Sequence, residues 1–184
     1  MQHHPMASDR PQAISNPTTW QNPPSPIAEI LDTPASPAVS ISPNHRWLVE
    51  FWRTELVPIE ALADPELGIG GFRINPKTRT SARSNPYTKI SVGELLNDIE
   101  NRTIIDLPDD AKLTNFKWSD SGNLLAFTWI KPNGLELWVL NAETKQARQV
   151  TAPILNAAYG TPYRWIDEKR LLCKMIDETQ LSAP

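Results

Sequence analysis

The stretch Phe116 to Trp129 reads FKWSDSGNLLAFTW and decides the fold. It joins two apolar segments, Phe116–Trp118 and Leu124–Trp129, through the polar turn Ser119–Gly122. Two apolar segments that flank a short turn containing glycine are typical of a β-hairpin. The stretch therefore predicts a pair of antiparallel strands.

The same pattern occurs twice more along the chain. Residues 39–52 read VSISPNHRWLVEFW, and residues 163–175 read YRWIDEKRLLCKM. Trp118 and Trp165 take the same place in their copies and are 47 residues apart. A repeated hairpin at this spacing indicates a repeat architecture.

A second type of hairpin falls between these copies. Its clearest example has a strand at Leu137–Leu140, a turn, and a returning strand at Gln146–Thr151. Its earlier, degraded counterpart is predicted as a strand at Leu95–Asn97 and a returning segment at Arg102–Leu107. The two hairpin types alternate, so each repeat contributes four strands.

Four strands in about 40–50 residues are the period of a β-propeller, whose blades bury their faces against one another. We expect an all-β fold, namely a partial β-propeller of about two to three four-stranded blades. It is not closed, because propellers close with about four to eight blades. Trp118, Phe127 and Trp129 are expected to fill the space between blades. A small β-sandwich and a single open sheet are the alternatives.

The chain divides into a predicted disordered tail, 1–22, and the incomplete propeller, 23–184. The front of the chain is rich in the 18 prolines, which central strands exclude, and it leaves room for one short helix at Ile27–Leu31. The first repeat carries an excess at Thr54–Pro86, predicted as one helical turn at Pro58–Ala63 and an otherwise polar loop.

Bulk properties exclude several classes of function. The 184 residues carry a net charge of −3, so no dominant basic face favours nucleic acid as a partner. The mean hydropathy is −0.40, and no apolar run reaches the roughly 20 residues that cross a membrane. A single cysteine, Cys173, cannot form an internal disulfide, and no apolar leader opens the chain. We therefore expect a cytoplasmic protein without a membrane partner.

Candidate catalytic and metal-binding residues are few. A serine-protease triad needs a histidine base, and the three histidines are His3, His4 and His45. The first two fall in the predicted tail without further metal ligands, and His45 is expected to be a solvated turn residue. Cys173 lies in an apolar strand and is expected to pack there. No catalytic, cofactor-binding or metal residue is predicted, and no cofactor.

Four segments resemble, in order, the N-terminal part of peptidases of the prolyl-oligopeptidase clan. They are PPSPIAEILDTP at 23–34, PAVSISPN at 37–44, PIEALA at 58–63 and GFRINP at 71–76. The similar branch is that of the chloroplast glutamyl endopeptidases and their bacterial relatives. This resemblance implies an N-terminal propeller followed by an α/β-hydrolase domain with a Ser-Asp-His triad, the propeller restricting access by larger substrates.

No part of the chain matches that hydrolase domain, since no Gly-x-Ser-x-Gly elbow occurs in it. We expect a non-catalytic fragment that is not an enzyme by itself: a truncated product, one piece of a split gene or part of a longer sequence. Its expected partners are the missing blades, the hydrolase domain and, in the parent, peptide substrates. The alternatives are a stand-alone scaffold that oligomerises or docks on a partner, and a split enzyme completed by a second chain.

Two groups of residues could form binding sites. The basic stretch Arg73, Lys77, Arg79 and Arg83 could receive the glutamate carboxylate that the resemblance implies, or it could be a solvated loop, which we favour. The seven tryptophans could form a carbohydrate platform. Because Trp47, Trp118, Trp129, Trp138 and Trp165 all fall on or beside strands, packing between blades is favoured.

Overall fold

The computed structural model describes residues 23–31, 33, 36–53, 59–97, 102–108 and 110–177. The chain separates into two compact units, Met1–Pro34 and Ala35–Pro184. The first unit contains helix α1, Ser25–Leu31. The carbonyl oxygen of Pro24 accepts from the N–H groups of Ile27 and Ala28, which starts the helix. The predicted helix is confirmed, whereas the predicted tail, 1–22, lies outside the described residues.

The second unit is built almost entirely from strands, with one short helix, α2 (Ile59–Ala63). The described strands are β1 (Ala38–Ile41), β2 (Trp47–Trp52), β3 (Leu67–Ile69), β4 (Phe72–Asn75), β5 (Thr80–Ser81), β6 (Lys89–Glu94), β7 (Thr103–Ile104), β8 (Leu113–Trp118), β9 (Leu124–Lys131), β10 (Gly134–Asn141), β11 (Gln146–Gln149), β12 (Tyr163–Asp167) and β13 (Arg170–Cys173).

These strands form three successive blades and one inserted sheet. Blade 1 has the order β1-β2-β6-β7, and blade 2 has β8 to β11 in sequence order. Blade 3 is represented by the hairpin β12-β13, and the inserted sheet is β3-β4-β5. All pairings are antiparallel, and none of the described sheets is closed. The expectation of an all-β, partial and open propeller is confirmed.

Two details of blade 1 correct the sequence interpretation. The strand predicted at Leu95–Asn97 is wrong, because these residues form a turn and the third strand is β6, Lys89–Glu94. Its apolar side chains are only Ile90 and Val92, separated by serine and glycine, so the alternation is short. In the excess segment the predicted helical turn is confirmed by α2, whereas much of the predicted polar loop folds into the inserted sheet.

The apolar cores lie between the blades. A first cluster joins blade 1 to blade 2 and includes Val49, Val92 and Phe127, all inaccessible to solvent. A second joins blade 2 to blade 3 through Leu137 and Tyr163. Burying one such side chain contributes about 1.5–3 kcal/mol, so each blade depends on its neighbour for stability.

Hydrogen bonds from two tryptophan side chains join each later blade to the blade before it. The indole Nε1 of Trp118 in blade 2 donates to Ser40 Oγ in blade 1 at 3.0 Å. The indole of Trp165 in blade 3 likewise donates to the main-chain oxygen of Lys117 in blade 2 at 3.0 Å. In both cases the first strand of a blade reaches back to the first strand of the blade before it.

A second set of contacts joins the turns that follow these strands. Asn44 Nδ2 in blade 1 donates to the carbonyl oxygen of Ser121 in blade 2 at 2.7 Å. The N–H and Oγ of Ser121 donate to the carboxylate of Glu168 in blade 3 at 2.8 and 2.7 Å. The three turns therefore form a continuous hydrogen-bonded row along one end of the blades.

Candidate functional site

A cleft of about 550 Å³ lies between the inserted sheet and the ends of blades 1 and 2. The insertion joins the second strand of blade 1 to the third, and the β9–β10 turn makes the same connection in blade 2. Both therefore emerge at the same end of the stack, opposite the row of bonded turns. The volume falls within the range of ligand pockets, which makes the cleft the candidate site.

The insertion that forms one wall of the cleft is held by local hydrogen bonds. Asn75 Oδ1 accepts from the N–H groups of Lys77 and Thr78 at 3.0 and 3.3 Å, which fixes the turn between β4 and β5. The buried hydroxyls of Thr78 and Thr80 lie 2.8 Å apart and share a hydrogen bond. A polar interior of this kind explains why the segment reads as a loop in the sequence.

Two further contacts tie the insertion to the connection between blades 2 and 3. The N–H of Ala157 donates to the carbonyl oxygen of Arg79 at 2.9 Å. The ring of Phe72 meets that of Tyr159 edge to face, with 5.2 Å between centroids. The insertion therefore reaches beyond its own blade to the start of blade 3.

The basic stretch predicted from the sequence is only partly available to a ligand. Glu66 binds two of its members: Arg83 donates to both carboxylate oxygens at 3.0 Å, and Arg73 forms an ion pair with the same carboxylate. Lys77 and Arg83 line the cleft, whereas Arg73 and Arg79 do not. The single carboxylate thus offsets one of the two positive charges and holds both arginine side chains within the insertion.

The opposite wall contributes two lysines that the sequence did not single out and one tryptophan that it predicted only to pack between blades. Lys112 comes from the segment that leads into β8, and Trp129 and Lys131 come from the end of β9. The Lys131 ammonium lies 3.4 Å from the centre of the Trp129 ring, a cation–π contact. These residues are far apart in the sequence from Lys77 and Arg83, so no local motif predicts them.

The cleft has the chemistry of a binding surface. Its cationic side chains face two carboxylates that no described cation pairs with, those of Asp64 and Asp110. No histidine or cysteine is among the residues that line it. Among the described residues no cluster of metal-ligating side chains occurs either.

His45 and Cys173 lie apart from the cleft. His45 is exposed at the tip of the β1–β2 turn, with a φ of 57°, as expected for a solvated turn residue. Cys173 is half-buried and packs against the second core cluster. Burial raises the pKa of its thiol above the ordinary value, so the thiol stays protonated at neutral pH. His3 and His4 lie outside the described residues.

The tryptophans pack between blades, as predicted. Trp47 and Trp129 are buried in the first cluster, and Trp118 and Trp138 pack against it. Trp165 packs against the second cluster. The expectation of a packing role is confirmed for these five. In the part of the chain that the structure describes, no helix has the length and apolar character needed to span a membrane.

Comparison with known proteins points to a peptidase. No protein-family model matches the chain. It is 32% identical over 178 residues to the "Probable glutamyl endopeptidase, chloroplastic" of Arabidopsis thaliana. The aligned region covers 91% of this chain and 18% of that protein. The chain is 29% identical over 177 residues to the protein of the same name from Oryza sativa subsp. japonica, which covers 90% of this chain and 19% of the relative. The chain is thus related to peptidases and spans less than a fifth of their length.

Proposed function

We propose that this chain is the non-catalytic, N-terminal propeller portion of a larger serine peptidase of the prolyl-oligopeptidase clan. In that parent protein, the blades restrict access to a hydrolase domain that cleaves peptide bonds, with a preference for glutamate. The chain by itself hydrolyses nothing.

One observation carries this proposal: blades that need neighbours occur in a chain whose relatives are about five times as long. The similarity to two probable glutamyl endopeptidases extends over about nine-tenths of this chain. Equivalent turns of blades 2 and 3 are 47 residues apart, those of blades 1 and 2 are 77 residues apart because of the insertion, and the third blade is only a hairpin among the described residues. A non-catalytic role is supported by the absence of a Gly-x-Ser-x-Gly elbow from the sequence.

The proposal is tested on the native protein. An antibody raised against residues 20–86 is used to detect and capture the protein from its source cells, with the recombinant chain of 20.7 kDa as a size standard. We expect a band several times larger, and captured material that cleaves a glutamate-containing peptide. A band at the size of the standard, or captured material without serine-type peptidase activity, would count against the proposal.

The cleft and the exposed apolar residues favour a second candidate, a propeller-like scaffold that oligomerises or docks on a partner. A scaffold should form a defined oligomer with one sharp melting transition, whereas a propeller portion should complete itself only with the rest of its parent. The proposed compartment remains the cytoplasm. Fractionation of the source cells tests it against the chloroplast named for both relatives.

A further inference from the structure

The two interfaces between blades share one polar contact. In each, an indole at the end of the first strand donates to the preceding blade: Trp118 to Ser40 Oγ and Trp165 to the Lys117 carbonyl oxygen, both at 3.0 Å. The two tryptophans hold equivalent places, each paired across the hairpin with a leucine of the next strand. A contact that recurs at two successive interfaces is a property of the repeat.

The outer face of blade 3 offers the next acceptor in this series. Arg164 precedes Trp165 as Lys117 precedes Trp118, and it pairs with Leu172 in the hairpin. Its carbonyl oxygen accepts no side-chain hydrogen bond from the described residues, and a carbonyl has two lone pairs. On the same face, Ile166 and Leu172 are 50% and 63% exposed. This face therefore carries two exposed apolar side chains beside the exposed Arg164, and it has the same acceptor as the face of blade 2.

The outer face of blade 1 lacks the matching donor. Ile41 stands where the other two blades have tryptophan, since it pairs with Leu48 and immediately precedes the turn serine. It is 48% exposed, and its side chain has no N–H or O–H group. A second copy of this chain could bring only blade 1 to the face of blade 3 in the same orientation. Such a copy would bury the face without making the hydrogen bond.

We infer that the outer face of blade 3 is a docking surface for a further β-blade whose first strand ends in an aromatic donor, tryptophan or tyrosine. That donor binds the carbonyl oxygen of Arg164, while apolar side chains of the incoming blade cover Ile166 and Leu172. The occupant is a blade of this chemistry and not a second copy, because Ile41 cannot supply the donor. The inference rests on the proposed propeller role but not on peptidase activity.

The inference is tested by giving the chain the missing donor. In the Ile41→Trp variant, blade 1 becomes an incoming blade with the required indole, so copies should associate head to tail. Sedimentation equilibrium over a range of concentrations measures the association of the wild type and of this variant. We expect Ile41→Trp to associate more tightly than the wild type, and Ile41→Tyr to do so as well.

Two further variants separate the hydrogen bond from added apolar area. Ile41→Phe adds an aromatic ring without a donor, and we expect its association to be roughly two- to tenfold weaker than that of Ile41→Trp, the effect of one net hydrogen bond. Adding Leu172→Glu to Ile41→Trp replaces the exposed leucine by a carboxylate opposite Arg164. Docking would then bury an ion pair in place of an apolar contact, so association should be lost. Circular dichroism checks that each variant is folded.

Three results would overturn the inference. They are a wild type that associates as strongly as Ile41→Trp, equal association of Ile41→Phe and Ile41→Trp, and association that survives Leu172→Glu. None of these results bears on peptidase activity in captured native protein, so failure here is distinguishable from failure of the proposed function.

Discussion

In blades 1 and 2, the turn between the first two strands contains one residue with positive φ. In blade 2 that residue is Gly122, with a φ of 72°, and in blade 1 it is His45, with a φ of 57°. Glycine reaches this region without steric cost, whereas a residue with a Cβ does not. The histidine at this position therefore carries a small conformational penalty.

We expect His45→Gly to raise the free energy of unfolding by about 0.5–1 kcal/mol, because the strained side chain is removed from an exposed position. Urea denaturation followed by circular dichroism measures the change. The reciprocal variant is Gly122→Ala, whose Cβ would lie 2.8 Å from Asn44 Cγ, and it should destabilise the protein. A destabilised His45→Gly would contradict the argument.

Tyr163 is a single side chain on which the attachment of blade 3 depends. Its buried hydroxyl donates to the carbonyl oxygen of Ala126 at 2.8 Å and also contacts that of Asn115, both in blade 2. Burial, assisted by the neighbouring Cys173, raises the pKa of this phenol far above its ordinary value of 10. The folded protein therefore holds Tyr163 neutral at a pH where the unfolded chain ionises it.

Tyr163→Phe should lower the free energy of unfolding by about 1–3 kcal/mol at neutral pH, since the carbonyl oxygen of Ala126 loses the buried hydroxyl that donates to it. The contribution of this phenol is complete below about pH 10 and declines as the pH rises further, because only the unfolded state then ionises. Denaturation at about pH 8 and about pH 10.5 should show a smaller alkaline loss in Tyr163→Phe than in the wild type. Equal losses would contradict this assignment.

At the scale of elements, the inserted sheet depends on one carboxylate. Glu66 binds Arg73 and Arg83, and it is more shielded from solvent than either arginine. We expect Glu66→Gln to speed amide exchange in β4 and β5 while leaving the unfolding midpoint nearly unchanged, because the blade cores do not involve this contact. Glu143→Gln removes a more exposed ion pair with Arg46 at 3.8 Å and serves as the control. Unchanged exchange in the insertion would disprove the role of Glu66.

The contact between Trp118 and Ser40 joins two whole blades through two side chains. A double-mutant cycle with Trp118→Phe and Ser40→Ala isolates it, because each change removes the same hydrogen bond. We expect a coupling free energy of about 0.5–1.5 kcal/mol from urea denaturation. A coupling near zero would mean that Trp118 stabilises the interface through its apolar area alone.

The hairpins of blades 1 to 3 could be predicted from the sequence because each has a compact turn between apolar segments. Strand β6 could not, since Ile90 and Val92 are its only large apolar residues and a turn takes up the more apolar Leu95 and Leu96. The cleft could not be predicted either. Its walls come from the insertion, from the segment that leads into β8 and from the β9–β10 turn. Of these, only the basic residues of the insertion form a recognisable cluster in the sequence.

For the whole molecule, stability should decrease along the stack from the shared core to the open end. Blade 2 is buried on both faces, against Val49 and Val92 on one side and Tyr163 on the other. Blade 3 has one covered face and two described strands. Blade 2 is therefore more buried than blade 3, and its strands should resist local opening more strongly.

Native-state hydrogen exchange should reproduce this order. We expect the amides of β9 and β10 to exchange only by global unfolding and those of β13 to exchange through a local opening of lower free energy. Exchange monitored by mass spectrometry in increasing urea separates the two classes. If β13 is as strongly protected as β9, the hairpin does not open separately and the argument from burial fails.

The acceptors of the two indoles differ in how they tolerate genetic change. Ser40 offers a hydroxyl, which nearly every replacement at that codon removes. Lys117 offers a peptide carbonyl, which every amino acid possesses, so position 117 can drift while the bond to Trp165 remains. Sequences descended from a common ancestor should accordingly vary freely at position 117 and only narrowly at position 40.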